Sequence, residues 1–428
     1  MTAVIGIMNK QAIAIAADSA VTVSGSQGRK VYNTANKIFT LSKYHPVSIV
    51  IYSSASLMYT PWEIIIKEYR NQLKNKEFDT VVKYSQDFFK YLKKRKYFSD
   101  KKYNRQFLKE LASNIINMII QESHEKVMLS QQNLVSMSSD QRSNIFLKEF
   151  IEISATKQIQ CESQAGLKDF ENYSKTSYES NIASIINELF EEYYDGYNNP
   201  DVIKAFNKLF YSFLKSKNFY GQWTGLVFVG YGKKEIYPAT ISTKVGNVVD
   251  GHLRYFTEQV ELIDNENGGS IMPFAQRDVI DTLITGIDPL INGSLSSTLE
   301  MMFTGYNNHI ADLIRNTSEE LANQISNIDV NQICNEFLKQ IEDVKEKKHI
   351  IPTVDTVSIL SKEDLAEMAE SLIYLTYLKR RISSDEESVG GPVDVAIISK
   401  GDGFVWIKRK NYFESNQNPH FIKNYFNH

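Results

Sequence analysis

Strand-like segments occur at the beginning, in the middle and at the end of this 428-residue chain, with long helical stretches between them. The first two, Ala3–Ile7 and Ala12–Ala17, are apolar at nearly every position and flank the polar pair Asn9–Lys10. Runs of this kind are typical of strands buried on both faces, and the polar pair between them predicts a hairpin. Strands distributed in this way predict an α+β fold with one composite core rather than separate domains in series.

The later segments repeat this alternation. The remaining strand-like runs are Val47–Tyr52, Trp223–Gly230, Glu235–Thr240, Val393–Ile398 and Phe404–Ile407. Apolar residues recur at helical spacing from Thr60 to about Tyr220, and again from Phe274 to about Arg380. A capping box starting at Thr60 and a second cap at Ser361 mark helix starts.

These segments divide the chain into four parts. The core comprises 1–74 and, with added helices, 221–412, while 75–220 is a helical insertion and 413–428 a polar tail. The basic stretch Lys93–Lys96 lies inside the insertion and is interpreted as a solvated helix face rather than a nucleic-acid patch.

Composition excludes several classes of protein. A formal net charge of -3 gives no global attraction to nucleic acid or to a membrane surface. Cys161 and Cys334 provide neither a disulfide framework nor a metal-ligand set. The N-terminus lacks a signal-peptide pattern, and no apolar run reaches the roughly 20 residues of a membrane helix. We therefore expect a cytoplasmic protein with no metal, cofactor, nucleic-acid partner or membrane partner.

The start of the chain offers a candidate nucleophile. Thr2 is small enough to favour removal of Met1 by a cytosolic aminopeptidase. An N-terminal threonine then carries a hydroxyl nucleophile next to its own general base, an α-amine whose reference pKa is about 7.7–8.0. A Met-Thr start is common, so this feature alone defines no site.

The residues after Thr2 give it a context. The run ending in Ala16-Ala17-Asp18-Ser19 places Asp18 sixteen residues after Thr2, and Lys37-Ile-Phe-Thr-Leu precedes the next strand. This arrangement resembles the opening of proteasome β subunits and of the related bacterial ATP-dependent peptidase. The resemblance implies an N-terminal nucleophile (Ntn) hydrolase, folded as a four-layer αββα sandwich with two antiparallel sheets and here an extended helical insertion.

The resemblance assigns catalytic roles to Thr2, Asp18 and Lys37. A buried ammonium beside the threonine lowers the pKa of its amine and hydroxyl through positive charge. An aspartate partner keeps such a buried ammonium charged and oriented. Taken alone, Asp18 would be interpreted as a turn residue and Lys37 as a surface lysine, so the combination carries the prediction.

Two further elements of the family have counterparts. Family members end a helix with Asp-x-x-Ser before Gly-Gly-x-Val, and Asp385 and Ser388 fit this pattern with Val389 added. The resemblance implies that both side chains hydrogen-bond the threonine amine and its water; the alternative is a solvated acidic turn. Ser270, in Gly268–Ala275, takes the place of a serine in a Gly-Ser-Gly loop that opens a helix and contacts the amine. Its alternative is an ordinary helix N-cap.

The strand after Lys37 departs from the family. It ends in Tyr52-Ser53-Ser54-Ala55 where the family has Ala-Gly-Gly. Ser53 is therefore the candidate oxyanion donor through its backbone amide, in a backbone conformation that favours glycine. Because losing one such donor costs on the order of 10²–10³ in rate, activity is expected to depend on this residue. The substrate pocket is expected to include Val21, Ala35 and Ile51, which suits an apolar side chain.

These features predict a threonine peptidase that hydrolyses peptide or amide bonds through an acyl-enzyme on Thr2. The alternatives are a weak or inactive proteasome-fold scaffold or binding protein, and an acylase that acts on a small-molecule amide. The predicted partners are a peptide or protein substrate, further copies of the chain in a homo-oligomer, and an ATPase or other protein bound through the helical insertion.

Overall fold

A computed structural model of the chain describes residues 2–25, 28–94, 101–130, 137–220, 223–383, 390–411 and 413–420. The described strands are β1 (Val4–Asn9), β2 (Ile13–Ala17), β3 (Val21–Gly25), β4 (Gly28–Tyr32), β5 (Ile38–Thr40), β6 (Val47–Ser53), β7 (Ser56–Leu57), β8 (Thr60–Pro61), β9 (Thr224–Gly230), β10 (Ala239–Val249), β11 (His252–Leu262), β12 (Gly269–Ala275), β13 (Asp394–Ser399) and β14 (Gly403–Lys408). The described helices are α1 (Trp62–Leu73), α2 (Val81–Lys94), α3 (Lys101–Ser130), α4 (Ser139–Glu162), α5 (Lys175–Asn181), α6 (Ala183–Tyr193), α7 (Pro200–Lys215), α8 (Arg277–Thr285), α9 (Pro289–Ile314), α10 (Glu319–Ser326), α11 (Asn331–Lys345), α12 (Ile351–Ile359) and α13 (Lys362–Ile382). Among these helices, none combines the length and the apolar character needed to cross a membrane.

The chain forms two compact units. The first unit comprises Met1–Ile38, Ile236–Pro238 and Leu262–His428, and the second comprises Phe39–Glu235 and Ala239–Glu261. Each unit has a five-stranded sheet and helices, so the predicted α+β class is confirmed. Residues 75–220, the predicted helical insertion, belong to the second unit together with its five-stranded sheet.

The sheet of the first unit collects strands from three parts of the chain. Its order is β12-β1-β2-β13-β14, and every neighbouring pair is antiparallel. The predicted N-terminal hairpin is confirmed, with Val4 opposite Ala17 and Met8 opposite Ile13. All residues of β1 and β2 are buried, as their continuous apolar pattern predicts.

Small residues decide how closely helices pack on this sheet. One face of β1 and β2 contributes alternating residues to a core shared with α13; these are Ala14 and Ala16 on β2, together with Ala12 just before it. The facing side of α13 presents Ala366 and Ala369 to the same core. Alanine on both elements allows the helix backbone to approach the strands closely and bury both. The intervening side chains of β1 and β2, among them Val4 and Ala17, therefore lie on the opposite face of the sheet.

The second unit contains a sheet in the order β11-β10-β9-β6-β5. One face of this sheet packs against α1 and α2 through a core that includes Ile49, Leu226, Trp62 and Phe88. The Trp62 indole donates a hydrogen bond to the Thr224 hydroxyl at 2.8 Å, which satisfies its buried N–H group. The start of α1 is thereby fixed to strand β9.

Helices α3 to α7 form a second, aromatic-rich core of this unit, and the buried Arg254 closes one end of it. Its guanidinium donates hydrogen bonds to the backbone carbonyls of Phe213, Leu214, Ser216 and Asn218. These are carbonyls of the last turn of α7 and of the segment after it, which lack partners inside the helix. The cation therefore caps α7 and ties its end to β11.

Three local predictions need correction. Residues 235–238 are not a strand, because the Glu235 carboxylate accepts hydrogen bonds from the amides of Gly232 and Val81 and holds this segment as a loop. β12 occupies the place where a helix was expected to begin at Phe274, since its residues pair with β1. Pro61 rather than Thr60 is the N-cap of α1, and it makes no side-chain capping bond. The capping box at Ser361 is confirmed.

Candidate active site

Thr2 lies two residues before β1, near the end of the strand where Val4 pairs with Ala17. It is only 5% exposed. Because side chains alternate along a strand, Val4 faces away from the helices that cover the other side of the sheet, and Thr2 lies two residues before it. Polar residues gather around this end of β1.

The Asp18 carboxylate is the centre of that group. Its Oδ1 atom accepts hydrogen bonds from the Ala3 amide at 2.8 Å and from the Lys37 ammonium at 2.5 Å. Its Oδ2 atom accepts from the amides of Ala20 at 3.1 Å and Gly390 at 3.3 Å. Asp18 is 1% exposed, so these four donors replace the water that an ionised carboxylate requires.

Lys37 lies directly before β5 and is 3% exposed. Its ammonium donates to Asp18 and to the Ala20 carbonyl at 2.7 Å. Burial lowers the pKa of Lys37, and the negative charge and hydrogen bond of Asp18 oppose that effect. Because one Asp18 oxygen accepts from both Lys37 and Ala3, the ammonium lies within about 5 Å of the amide nitrogen that follows Thr2.

The Gly390–Gly391 segment closes over the turn at Asp18. The Ser19 amide donates to the Gly390 carbonyl at 3.2 Å, and the Ser19 hydroxyl donates to the Pro392 carbonyl at 2.5 Å. Gly391 has a φ of +76°, a left-handed conformation in which glycine is favoured. Asp385 and Ser388, which precede this segment, lie outside the described residues, and their roles stay predictions.

A second buried ion pair lies in the same region and was not anticipated from the sequence. Asp394, 3% exposed, opens β13 directly opposite Ala17, the residue before Asp18. Its carboxylate accepts hydrogen bonds from both the backbone amide and the ammonium of Lys410. The charges of both residues act on Lys37: Lys410 lowers its pKa and Asp394 raises it. The sequence feature that could have indicated this pair is Asp394 itself, a carboxylate at the start of the otherwise apolar strand β13.

A cavity of about 150 Å³ adjoins Asp18. Its lining consists of Asp18, three residues of α13, the two glycines and Val393, the α13 residues being Ile373, Tyr374 and Tyr377. The phenol-bearing side chains give this cavity both apolar and hydrogen-bonding walls.

Within the described ranges, no group of three or more His, Cys, Asp or Glu residues is arranged to hold a metal ion.

The local structure predicted for Ser270, a loop that opens a helix, was wrong. This residue is not in a loop that opens a helix but in β12, where it pairs with Met8. Six residues of extended chain separate Thr2 from Met8, which is roughly 20 Å at 3.3–3.4 Å per residue. The register with β1 therefore holds Ser270 at the far end of the strand. The segment that does reach the Val4 end is Ala275, followed by the left-handed Gln276 and α8.

The predicted pocket residues are distributed over both units. Val21 and Ala35 belong to the first unit, where both are half-buried and the Ala35 amide donates to the Ser19 carbonyl at 3.1 Å. Ile51 belongs to the second unit, where it is 4% exposed and packs in the core with α1 and α2. Their role in substrate binding stays a prediction.

Ser53 is the last residue of β6 in the second unit and is exposed. Its φ of +68° is left-handed, which is uncommon for a residue other than glycine. Ser53 therefore adopts the backbone conformation favourable to glycine that was predicted for this position. Left-handed geometry costs an L-residue roughly 1–2 kcal/mol, so the surrounding structure must hold this position. Its role as oxyanion donor stays a prediction.

Comparison with known proteins shows a distant structural similarity. No protein-family model and no curated protein matches the chain. Among solved structures, the chain is similar to the Gly-1 mutant of Anbu from Hyphomicrobium sp. strain MC1, with 9% sequence identity and a TM-score of 0.26. That match covers 99% of this chain and 94% of the other.

Proposed function

We propose that this protein is an N-terminal threonine hydrolase of the proteasome type, which cleaves peptide bonds through an acyl-enzyme on Thr2. The observation that carries the proposal is the Asp18 carboxylate, which bonds both the Lys37 ammonium and the amide next to Thr2. It holds a buried ammonium near the backbone amide that follows the candidate nucleophile. The four-layer Ntn sandwich belongs to the same proposal.

The reaction begins once Met1 is removed. The Thr2 α-amine accepts the proton of the hydroxyl as Oγ attacks the substrate carbonyl, giving a tetrahedral oxyanion. Collapse of this intermediate breaks the C–N bond, and the protonated α-amine of Thr2 gives its proton to the departing amine. Water, deprotonated by the same amine, then hydrolyses the ester and restores Thr2. The backbone amide of Ser53 is the predicted oxyanion donor on the sequence resemblance alone.

Lys37 contributes through its charge rather than by proton transfer. A fixed ammonium near Thr2 lowers the pKa of the α-amine, so more of it is neutral at physiological pH. Burial would otherwise favour loss of the Lys37 proton, and Asp18 opposes this loss. The aspartate is thus a positioning residue: it orients Lys37 and the backbone after Thr2 without touching the substrate.

An α',β'-epoxyketone probe tests the proposal, because its two electrophilic centres react with both the hydroxyl and the amine of one N-terminal threonine. Intact-protein mass spectrometry first establishes that Met1 has been removed. We expect a single adduct on wild-type protein, mapped to Thr2, and none on Thr2→Ala. Absence of an adduct on protein that begins with Thr2, under conditions that label a known proteasome, would refute the enzyme proposal and favour a non-catalytic scaffold.

Lys37→Met is expected to slow labelling by at least about 10²-fold, since the amine then loses its neighbouring charge. Lys345→Met is a matched control, because this substitution also removes a buried, paired lysine. Lys345 is 8% exposed and pairs with Glu342 at 2.6 Å. Lys345→Met should leave the labelling rate unchanged. Cleavage of a peptide library by wild-type protein but not by Thr2→Ala identifies a peptidase, whereas turnover of small amides alone identifies an acylase.

A further inference from the structure

Helix α9 (Pro289–Ile314) exposes apolar side chains along most of its length. Of its 26 residues, Ala311 is buried. The large apolar residues that are strongly exposed are Leu290, Ile291, Met301, Met302, Tyr306 and Leu313, with exposed fractions from 59% to 84%. At 100° per residue these side chains fall on one face about 160° wide, which we call the α9 face. Apolar patches of this extent on a protein surface mark interaction sites.

The charge of α9 also indicates a buried helix. Glu300 and Asp312 are its charged residues, although 23% of the whole chain is charged. Glu300 lies on the opposite side of the helix from the α9 face. Asp312 lies within the face, and Arg315 of the same chain pairs with it at 3.3 Å. The α9 face is therefore close to electrically neutral, so two identical copies can meet without repulsion between like charges.

Four residues of the α9 face, Leu290, Met301, Met302 and Leu313, are self-complementary about its centre, while Ile291 faces the paired Asp312. With a two-fold axis midway between Met301 and Met302, each residue of one antiparallel helix faces the residue equally far from the midpoint on the other. Leu290 then faces Leu313, and the two methionines face each other. Thr298 faces Gly305, whose Cβ position is open to solvent, so the helix backbones can approach closely. An isologous interface requires this reciprocity.

The available area is sufficient for a stable dimer. The six exposed apolar side chains present roughly 800 Å² on each copy, which is about what one partner of a standard interface buries. We infer that the α9 face is a homodimer interface, in which α9 of one copy packs antiparallel against α9 of a second copy about a two-fold axis at Met301–Met302. This inference goes beyond the proposed activity, and assembly is measured without substrate.

Sedimentation equilibrium of the full chain tests the inference. Wild-type protein is expected to contain the dimer at micromolar concentration. Leu290→Lys/Leu313→Lys should dissociate it, because the antiparallel arrangement brings lysine against lysine at both ends. Leu290→Lys/Leu313→Glu should restore it, because each lysine then faces a glutamate, whereas a parallel arrangement would bring like charges together. Leu129→Lys, at an apolar residue that is 88% exposed on α3, is the matched control and should leave the dimer intact.

A wild-type monomer at about 100 μM would overturn the inference, as would a dimer that survives Leu290→Lys/Leu313→Lys. Binding of monomeric wild-type protein to phosphatidylcholine vesicles through α9 would overturn it in favour of a membrane surface. Circular dichroism of each variant distinguishes loss of the dimer from loss of the fold. Failure of these tests would leave the Thr2 probe result unaffected.

Discussion

Substitution of Asp18 by asparagine isolates the contribution of the buried ion pair to the first unit. The carboxylate accepts from the Lys37 ammonium and from three backbone amides. Asparagine offers one oxygen where aspartate offers two, and it carries no charge. Lys37 would keep the Ala20 carbonyl as an acceptor but lose its counter-ion at 2.5 Å.

The magnitude follows from the burial of both partners. Removing one partner of a buried ion pair costs roughly 3–5 kcal/mol, because the other charge is left uncompensated. Lys37→Met should cost less, about 1.5–3 kcal/mol, since Asp18 keeps three amide donors and loses one charge-assisted hydrogen bond. In Asp18→Asn/Lys37→Met neither charge remains, so the loss should be smaller than the sum of the two single losses.

The pH dependence carries a definite sign. Burial lowers the pKa of Lys37 in the folded state below its unfolded value of about 10.4. Between those two pKa values the unfolded chain binds more protons, so the free energy of unfolding increases as pH rises through that window. Removing Asp18 removes the group that raises this pKa. Asp18→Asn should therefore gain more stability from pH 7 to pH 10 than wild-type protein, and Lys37→Met should lose this contribution.

Hydrogen exchange measured by mass spectrometry on the β1–β2 peptide, residues 3–17, reports the stability of the first unit. A loss of 3–5 kcal/mol lowers amide protection by about two to four orders of magnitude. Lys345→Met again serves as the control and should leave this peptide unaffected. The reasoning is refuted if Asp18→Asn costs no more than Lys37→Met, or if its stability does not rise with pH.

Three further substitutions test separate parts of the structure. Ser53→Gly should stabilise the protein by about 0.5–1 kcal/mol, because glycine adopts the left-handed φ of +68° without steric cost. Urea unfolding monitored by tryptophan fluorescence measures this change, and an unchanged midpoint would argue against strain at Ser53. Arg254→Met should cost about 3–5 kcal/mol, because the carbonyls of Leu214, Ser216 and Asn218 lose the guanidinium donor and Phe213 loses one of its donors. A lower melting temperature by circular dichroism would show this loss, and Arg254→Lys should recover only part of it. Lys410→Met should raise the pKa of Lys37, since it removes a repelling charge and leaves the Asp394 charge unpaired. The rise in amide protection of the β1–β2 peptide at alkaline pH should then occur at higher pH. Lys410→Arg keeps the charge and should not shift this pH.

The sequence predicted the elements whose signal is local. The hairpin of Ala3–Ile7 and Ala12–Ala17, the capped helix that begins after Ser361 and the closing strands predicted at Val393–Ile398 and Phe404–Ile407 all form. Each depends on periodicity or on turn and capping chemistry within a few residues. Ser270 was misplaced because the register between β1 and β12 depends on residues far apart in the chain, and a Gly-Ser segment fits a strand as well as a loop.

The sequence by itself determined the α+β class and placed Asp18 and Lys37 at spacings that suit a site beside Thr2. Only the tertiary structure decided that one carboxylate oxygen joins the Lys37 ammonium to the Ala3 amide, and that Asp394 and Lys410 bury a second ion pair nearby. Spacing along the chain reports which face or turn a residue occupies. Whether a charged group finds a partner that makes its burial tolerable depends on contacts between distant segments, such as β2 with β13, and these exist only in the folded chain.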